Sequence, residues 1–414
     1  GHEELPRDEN ETTPGFSNVE DYLFGRLWNA QLAANPVEAL CHFGQEMQTY
    51  ASHFQDEASG GWSYALPLLA SQQYARACTH LAESGEDVLL QAAHLGLVLA
   101  TAGVEIGNLG DTSPNLHILA SIVEAYSKTI IGKDSSGYMA ALEYLVRIPE
   151  KALACKAVAK LIVETNKIKE IAGDYNQDGL REVSTPLDKH LSHYQMQLVL
   201  TEAADLCLRN PNDFNKIHCA IACYMLAGRY DSVVDLLNKM ISPPTHQDEN
   251  RAYWLTQVRA FRESFIYRRT AVYRQLEKDK KLGLVDAMRM LLDLNEFFDN
   301  LNKSNFEEAL VIVKKLGMVP STQKELNYTV RNYRERFDDT IRGCYPDVLL
   351  GTMEALRNEH YRGKTAAQSI AGPVVSQRLK ELQAQASFLV TFAGLIEAPA
   401  DQIKKLSNLQ ALMI

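Results

Sequence analysis

The run Asp174-Tyr-Asn176-Gln-Asp178-Gly179 sets side-chain oxygens at positions 1, 3 and 5 of an EF-hand-like loop and a glycine at the sharp turn, the pattern that suits calcium. The match then fails. Position 12, which supplies a bidentate glutamate in such loops, is Thr185, and position 8, normally apolar, is Arg181. An ordinary connector is expected, because Asp, Asn and Gly also bond the local backbone. A calcium-regulated binding module resting on Asp174, Asn176, Asp178 and Gly179 is the alternative. Arg362-Gly363-Lys364-Thr365 is similar to the end of a P-loop, but Asn358 replaces the required glycine and a helical run precedes it, so a surface loop is expected. Cys219 and Cys223 lie one helical turn apart beside His218, too few ligands for a metal, and read as small buried residues. His190 and His193 lack any HExxH context, and no G-x-S-x-G, dinucleotide loop or Cys/His pair can be assigned. Paired carboxylates abound as solvated helix faces. No catalytic, cofactor-binding or metal-ligating residue is expected, and the chain reads as a non-enzyme.

Residues 251–281 differ in chemistry from the rest. They carry nine Lys/Arg against three Asp/Glu in a chain whose net charge is −10. Trp254, Val258, Phe261 and Phe265 recur at helical spacing, so one long amphipathic helix is expected there. Its apolar stripe either packs inside the protein or accepts an acidic or amphipathic partner segment. The candidate partner contacts are Trp254, Phe261, Arg262, Phe265 and Arg269, the two arginines lying seven residues apart on one face.

At 414 residues, the chain exceeds the size at which one compact core usually stops growing, which leaves several domains or a repeat array. Hydrophobic residues at 46% and charged residues at 23% argue for a folded protein. The 23 Gly and 14 Pro, about 9% of the chain, are too few for the many tight turns of an all-β fold. The acidic balance, with pI near 5.6, opposes direct nucleic-acid binding. Seven cysteines without framework spacing suggest reduced thiols, and no uncharged run of 18 apolar residues suggests membrane insertion. Gly1-His2 in place of an initiator methionine suggests a tag remnant on a piece of a longer chain. Residues 1–16 read as a disordered lead-in.

Helix-start signals follow. Ser17-x-x-Glu20, Ser304-x-x-Glu307 and Thr322-x-x-Glu325 have capping-box spacing, and Ser113-Pro114, Ile148-Pro149 and Asn210-Pro211 put proline where a first turn tolerates it. Apolar residues recur at three and four, as in Leu89, Ala92, Ala93, Leu97 and in Met290, Leu294, Phe297, Leu301. About sixteen or seventeen helices are expected, with breaks near 57–61, 107–113, 132–136, 174–186, 210–212, 242–248, 303–304, 317–321 and 363–372. Pro67 should kink or divide its helix. Four starts repeat an aromatic three residues before a small or β-branched residue: Tyr74/Ala77, Tyr138/Ala141, Tyr230/Val233 and Phe306/Ala309. Aromatic knobs facing small holes let antiparallel helices stack, and the unequal intervals point to an irregular solenoid. The expected fold is all-α: an elongated, irregular helical-repeat solenoid of antiparallel helices over 17–414, with 242–248 as the candidate subdivision.

The runs Gly61-Trp-Ser-Tyr64 through Leu81, Leu291-Leu-Asp-Leu-Asn-Glu-Phe-Phe298, Asn305-Phe-Glu-Glu-Ala309 through Leu316-Gly-Met-Val-Pro320, and Phe388-Leu-Val-Thr-Phe-Ala-Gly-Leu-Ile396 occur in that order. In this order they resemble the nucleoporin-interacting component family, the inner-ring linker nucleoporins of the nuclear pore complex. The resemblance implies the carboxy-terminal part of that family's helical solenoid, a scaffold at the nuclear envelope. It further implies partners among other nucleoporins, including a short segment of a membrane-apposed linker nucleoporin. A scaffold of a vesicle coat or another large assembly shares the same helical physics and stands as the rival.

Overall fold

The computed structural model describes residues 19–54, 60–109, 116–133, 136–182, 185–210, 213–245, 250–369 and 373–413. Among them are twenty α-helices and no strand; two isolated bridges, Gln73 with Asn108 and Tyr175 with Arg181, pin loops. The chain divides into two compact units, Gly1–Ala172 with Ser184–Ala220, and Gly173–Val183 with Ile221–Ile414. Residues 242–248 fall within the second unit. None of the described helices is long and apolar enough to cross a membrane.

The first unit holds α1 (Val19–Leu32), α2 (Pro36–Thr49), α3 (Trp62–Ala70), α4 (Tyr74–Glu83), α5 (Glu86–Thr101), α6 (Leu116–Lys133), α7 (Gly137–Leu145), α8 (Lys151–Thr165), α9 (Ile168–Ala172) and α10 (His193–Leu208). Chain neighbours pack together, α3 on α4, α4 on α5, α5 on α6 and α6 on α7, as short connections require of a helical stack. Phe43, Met47, Phe54, Leu68 and Ala77 form a core patch that Tyr22, Leu23 and Leu27 of α1 cover. Helix ends follow local chemistry. Pro36 opens α2 behind the Asn35 cap, and Ser192 with Gln195 makes a reciprocal capping box at α10. Gly96 lets α5 and α6 approach closely, since a Cβ there would stand 2.5 Å from Leu119 Cδ1.

Helix α11 (Phe214–Leu226) carries the boundary between the units. The second unit continues with α12 (Tyr230–Met240), α13 (Arg251–Phe261), α14 (Ala271–Lys278), α15 (Leu282–Asn302), α16 (Phe306–Leu316), α17 (Gln323–Glu335), α18 (Asp339–Ser369), α19 (Pro373–Leu395) and α20 (Ala400–Ala411). Helices α15 and α18 are its axis: α15 packs on α12, α16 and α18, and α18 also packs on α16, α19 and α20. Their core is aromatic. Tyr345 is buried with its ring centroid 4.8 Å from that of Tyr333 and 6.0 Å from those of Phe337 and Phe392.

Several local expectations need correction. Helices number more than sixteen or seventeen because short turns without strong breakers, at 71–73, 268–270 and 279–281, also separate them. Pro67 stays inside α3, which ends at Ala70. Ser304 does not cap α16. It takes φ +61° and closes α15, its N–H bonding the Leu301 carbonyl. Thr322 does cap α17, but the Glu325 carboxylate reaches back to the N–H of Ser321 rather than to the cap residue. Pro149 precedes the α8 cap, Glu150, instead of opening the helix. Arg362–Thr365 is no loop, because α18 runs through it to Ser369. The signals at Ser17, Ser113-Pro114 and Pro211, and the lead-in over 1–16, lie outside the described residues.

Candidate partner-binding surface around a π turn

The expected single helix over 251–281 is three pieces. Helix α13 ends at Phe261, Arg262–Tyr267 winds as a π-helical turn, Arg269 takes φ +50°, and α14 starts afresh at Ala271. The backbone N–H and the hydroxyl of Thr270 both donate to the Phe265 carbonyl, at 3.3 and 3.0 Å, which closes the widened turn. No glycine or proline marks this break, so apolar spacing alone reads straight through it.

The stripe itself divides. Trp254 and Val258 are buried, with Leu255 beside them, and belong to the core. Phe261 and Phe265 are half-buried, their ring centroids 5.1 Å apart. Phe265 meets Tyr175 at 6.2 Å, which brings the π turn onto the segment whose spacing imitates a calcium loop. In that segment, Asn176 Oδ1 accepts the N–H groups of Asp178 and Leu180, and Asp174 Oδ1 accepts that of Tyr175. These are the local side-chain-to-backbone bonds of an ordinary connector, and nothing in the geometry supports the calcium reading over it. Gly179, at φ +81°, sits so close to Val272 that a Cβ would lie 2.4 Å from its Cγ2. The loop is a packing surface for 261–272.

Both arginines stack on tyrosines. The Arg262 guanidinium carbon lies 5.1 Å from the Tyr267 ring centroid, and that of Arg269 lies 5.7 Å from Tyr273. Arg262 is half-buried, and its Nε is out of solvent without a hydrogen-bond partner. Arg269 is exposed, as are Arg259, Arg268, Arg274 and Tyr267. The chain break means that Arg262 and Arg269 do not share one helix face; they flank a turn. The result is a basic surface with exposed aromatic faces, suited to charge-steered docking of an acidic segment.

Asn295 of α15, fully buried and outside the spacing patterns above, anchors this surface from below. It donates to the Ile241 carbonyl at the end of α12 and accepts from the Arg251 guanidinium at the start of α13. Burial pushes the Arg251 pKa down while the nearby Asp299 opposes the shift. An asparagine inside a leucine- and phenylalanine-rich helix was the available signal. Elsewhere, Cys219 and Cys223 are buried as small residues, and no group of His, Cys, Asp and Glu among the described residues could hold a metal.

Comparison with known proteins is consistent with this architecture. A profile of the Nup93/Nic96 family matches residues 16–402. Nuclear pore complex protein Nup93 of Danio rerio is 28% identical over 267 residues, 62% of this chain and 31% of its own length. Nucleoporin NIC96 of Saccharomyces cerevisiae is 23% identical over 360 residues, 81% of this chain and 41% of its own. The crystal structure of the Nic96 SOL region from Chaetomium thermophilum matches with a TM-score of 0.54 at 14% identity, covering 95% of this chain and 63% of that one, which is a shared fold. The chain therefore spans well under half the length of these two curated relatives.

Proposed function

The chain belongs to the Nup93/Nic96 family, and from that premise we propose that it is a structural, non-enzymatic scaffold of the nuclear pore complex inner ring, located at the nuclear envelope. The observation that carries this reading is the family match along 16–402, joined to an all-helical fold shared with the Nic96 SOL region. Stacked helices bury a continuous core and leave long faces for other proteins, which is what a scaffold requires. Its partners are other nucleoporins, among them a short segment of the membrane-apposed linker nucleoporin, and its role is to support pore assembly and hence protein and mRNA transport. The basic turn around Arg262 is the candidate contact for such a segment. The vesicle-coat alternative rests on helical physics alone.

Imaging tests the location. A fluorescent fusion of the full-length protein is expected to give a punctate nuclear rim, and affinity capture through it is expected to enrich inner-ring nucleoporins. Vesicular puncta, or a capture without nucleoporins, overturns the reading.

A further inference from the structure

Helix α18 floors an open cleft of about 170 Å³ between α16 and α19. Much of its lining is apolar, with Ser321, Thr352 and Gln385 as neutral polar members: Val313, Leu356, Leu382 and Leu389 are each 3% exposed or less, and Val311 is 57% exposed. The Thr352 hydroxyl, also in the floor, is taken by the Val348 carbonyl at 2.7 Å. An aliphatic cavity of comparable size admits one benzene-sized group. The cleft thus has room for a single leucine- or phenylalanine-sized side chain.

Two cations line it as well. Arg378 of α19 lies 3.9 Å from Glu307 of α16, with both side chains more than half exposed. Such a long, solvated pair is weak and easily exchanged for another carboxylate. Lys314, exposed, lines the cleft seven residues further along α16, about 10 Å from Glu307 at the helical rise. An extended chain covers that distance in about three residues.

We propose that this cleft docks a short extended segment of a partner protein, one bulky apolar side chain entering between α16 and α19 with carboxylates about three residues apart meeting Arg378 and Lys314. Charge complementarity selects this occupant over an uncharged apolar segment, because among the described residues lining the cleft two are cations, Arg378 and Lys314, and one is a carboxylate, Glu307. The cleft is a site separate from the turn around Arg262, and its test does not depend on where the protein resides in the cell.

A random dodecapeptide display library, selected on the whole chain and counter-selected on Val311→Arg, tests the proposal. Enriched peptides are expected to share an apolar residue between two acidic ones. A synthetic peptide from that pool should lose at least tenfold affinity for Val311→Arg and several-fold for Lys314→Glu, with partial recovery when its matching carboxylate becomes lysine. Both positions are exposed, so thermal unfolding should stay within a few degrees; as a control independent of any variant, a photo-crosslinking version of the peptide should label 307–314 or 378–389. A pool that Val311→Arg binds equally well, affinity indifferent to Lys314→Glu, or crosslinks confined to other regions overturns it.

Discussion

The phenol of Tyr230, at the first turn of α12, donates a 2.9 Å hydrogen bond to the carbonyl of Gly179, and both groups are buried. Burial pushes the phenol's pKa up and keeps it a donor. This bond ties the 173–182 segment to α12, while Val272 and Phe265 crowd the place where a Cβ of the same glycine would stand. A stretch that looks like an ion loop is therefore a wedge between α12 and the π turn.

Gly179→Ala should destabilise the second unit by about 2–4 kcal/mol, combining left-handed backbone strain with overpacking against Val272. Tyr230→Phe, which leaves the Gly179 carbonyl buried and unpaired, should cost about 1–3 kcal/mol. Urea unfolding followed by hydrogen exchange in 221–281 measures both. Adding Val272→Ala should recover part of the Gly179→Ala loss, since the two positions contact each other and their effects are not additive. Full additivity would mean that the close approach is not what matters.

Asn295→Leu should cost about 3 kcal/mol or more although leucine is close in size. It strips the Ile241 carbonyl of a donor and takes the Asn295 Oδ1 acceptor away from the half-buried Arg251 guanidinium. In Asn295→Leu with Arg251→Met the cation that lost the Asn295 acceptor is gone, and much of the loss should return. Thermal unfolding of the single and double variants decides between a polar tether and simple core packing.

The helical stack was legible because its signals are local. Tyr74, Tyr230 and Phe306 are each the first residue of a helix and Tyr138 is the second, while Ala77, Ala141, Val233 and Ala309 are fully buried. A residue and its neighbour three positions on share a helix face, so this pairing can be read without knowing what lies opposite. The site was less legible. Spacing of 4, 3 and 4 in Trp254, Val258, Phe261 and Phe265 fits one helix, and a π turn leaves that spacing intact while rotating all that follows. Arg269 in a left-handed conformation carries no compositional mark. The cleft between α16 and α19 depends on residues about seventy positions apart, which no local pattern joins.

Acid should loosen the end of the chain. His360 is buried on α18, 3.3 Å from Gln383 Nε2, and the same amide nitrogen donates to the Met413 carbonyl at 2.7 Å. Burial, then the positive charge of Lys364, holds the His360 pKa below its ordinary 6.5. The unfolded state thus takes up a proton at higher pH than the folded one, so stability is full above about pH 6.5 and falls as pH drops below it. Hydrogen exchange in α20 should quicken between pH 7 and 5 relative to α15, and His360→Gln should flatten that difference. His218 is also depressed by burial, but it lies on α11, and its contribution appears there instead.

Arg262→Glu with Arg269→Glu tests whether the basic turn is a contact. Arg269 is exposed, and its replacement should shift stability by no more than about 0.5 kcal/mol. Arg262 is half-buried over Tyr267, and losing that stack should cost about 1 kcal/mol, so the double variant remains folded. If an acidic segment docks on this turn, association with inner-ring nucleoporins should weaken at least several-fold, and its remaining dependence on salt should flatten, because fewer charge pairs are left to screen. Arg262→Lys separates charge from shape: it keeps the cation but loses the planar stack on Tyr267, and an intermediate affinity is expected. A folded double variant that captures the same nucleoporins at the same salt would leave Trp254, Phe261 and Phe265 as core and Arg262 and Arg269 as its solvated edge.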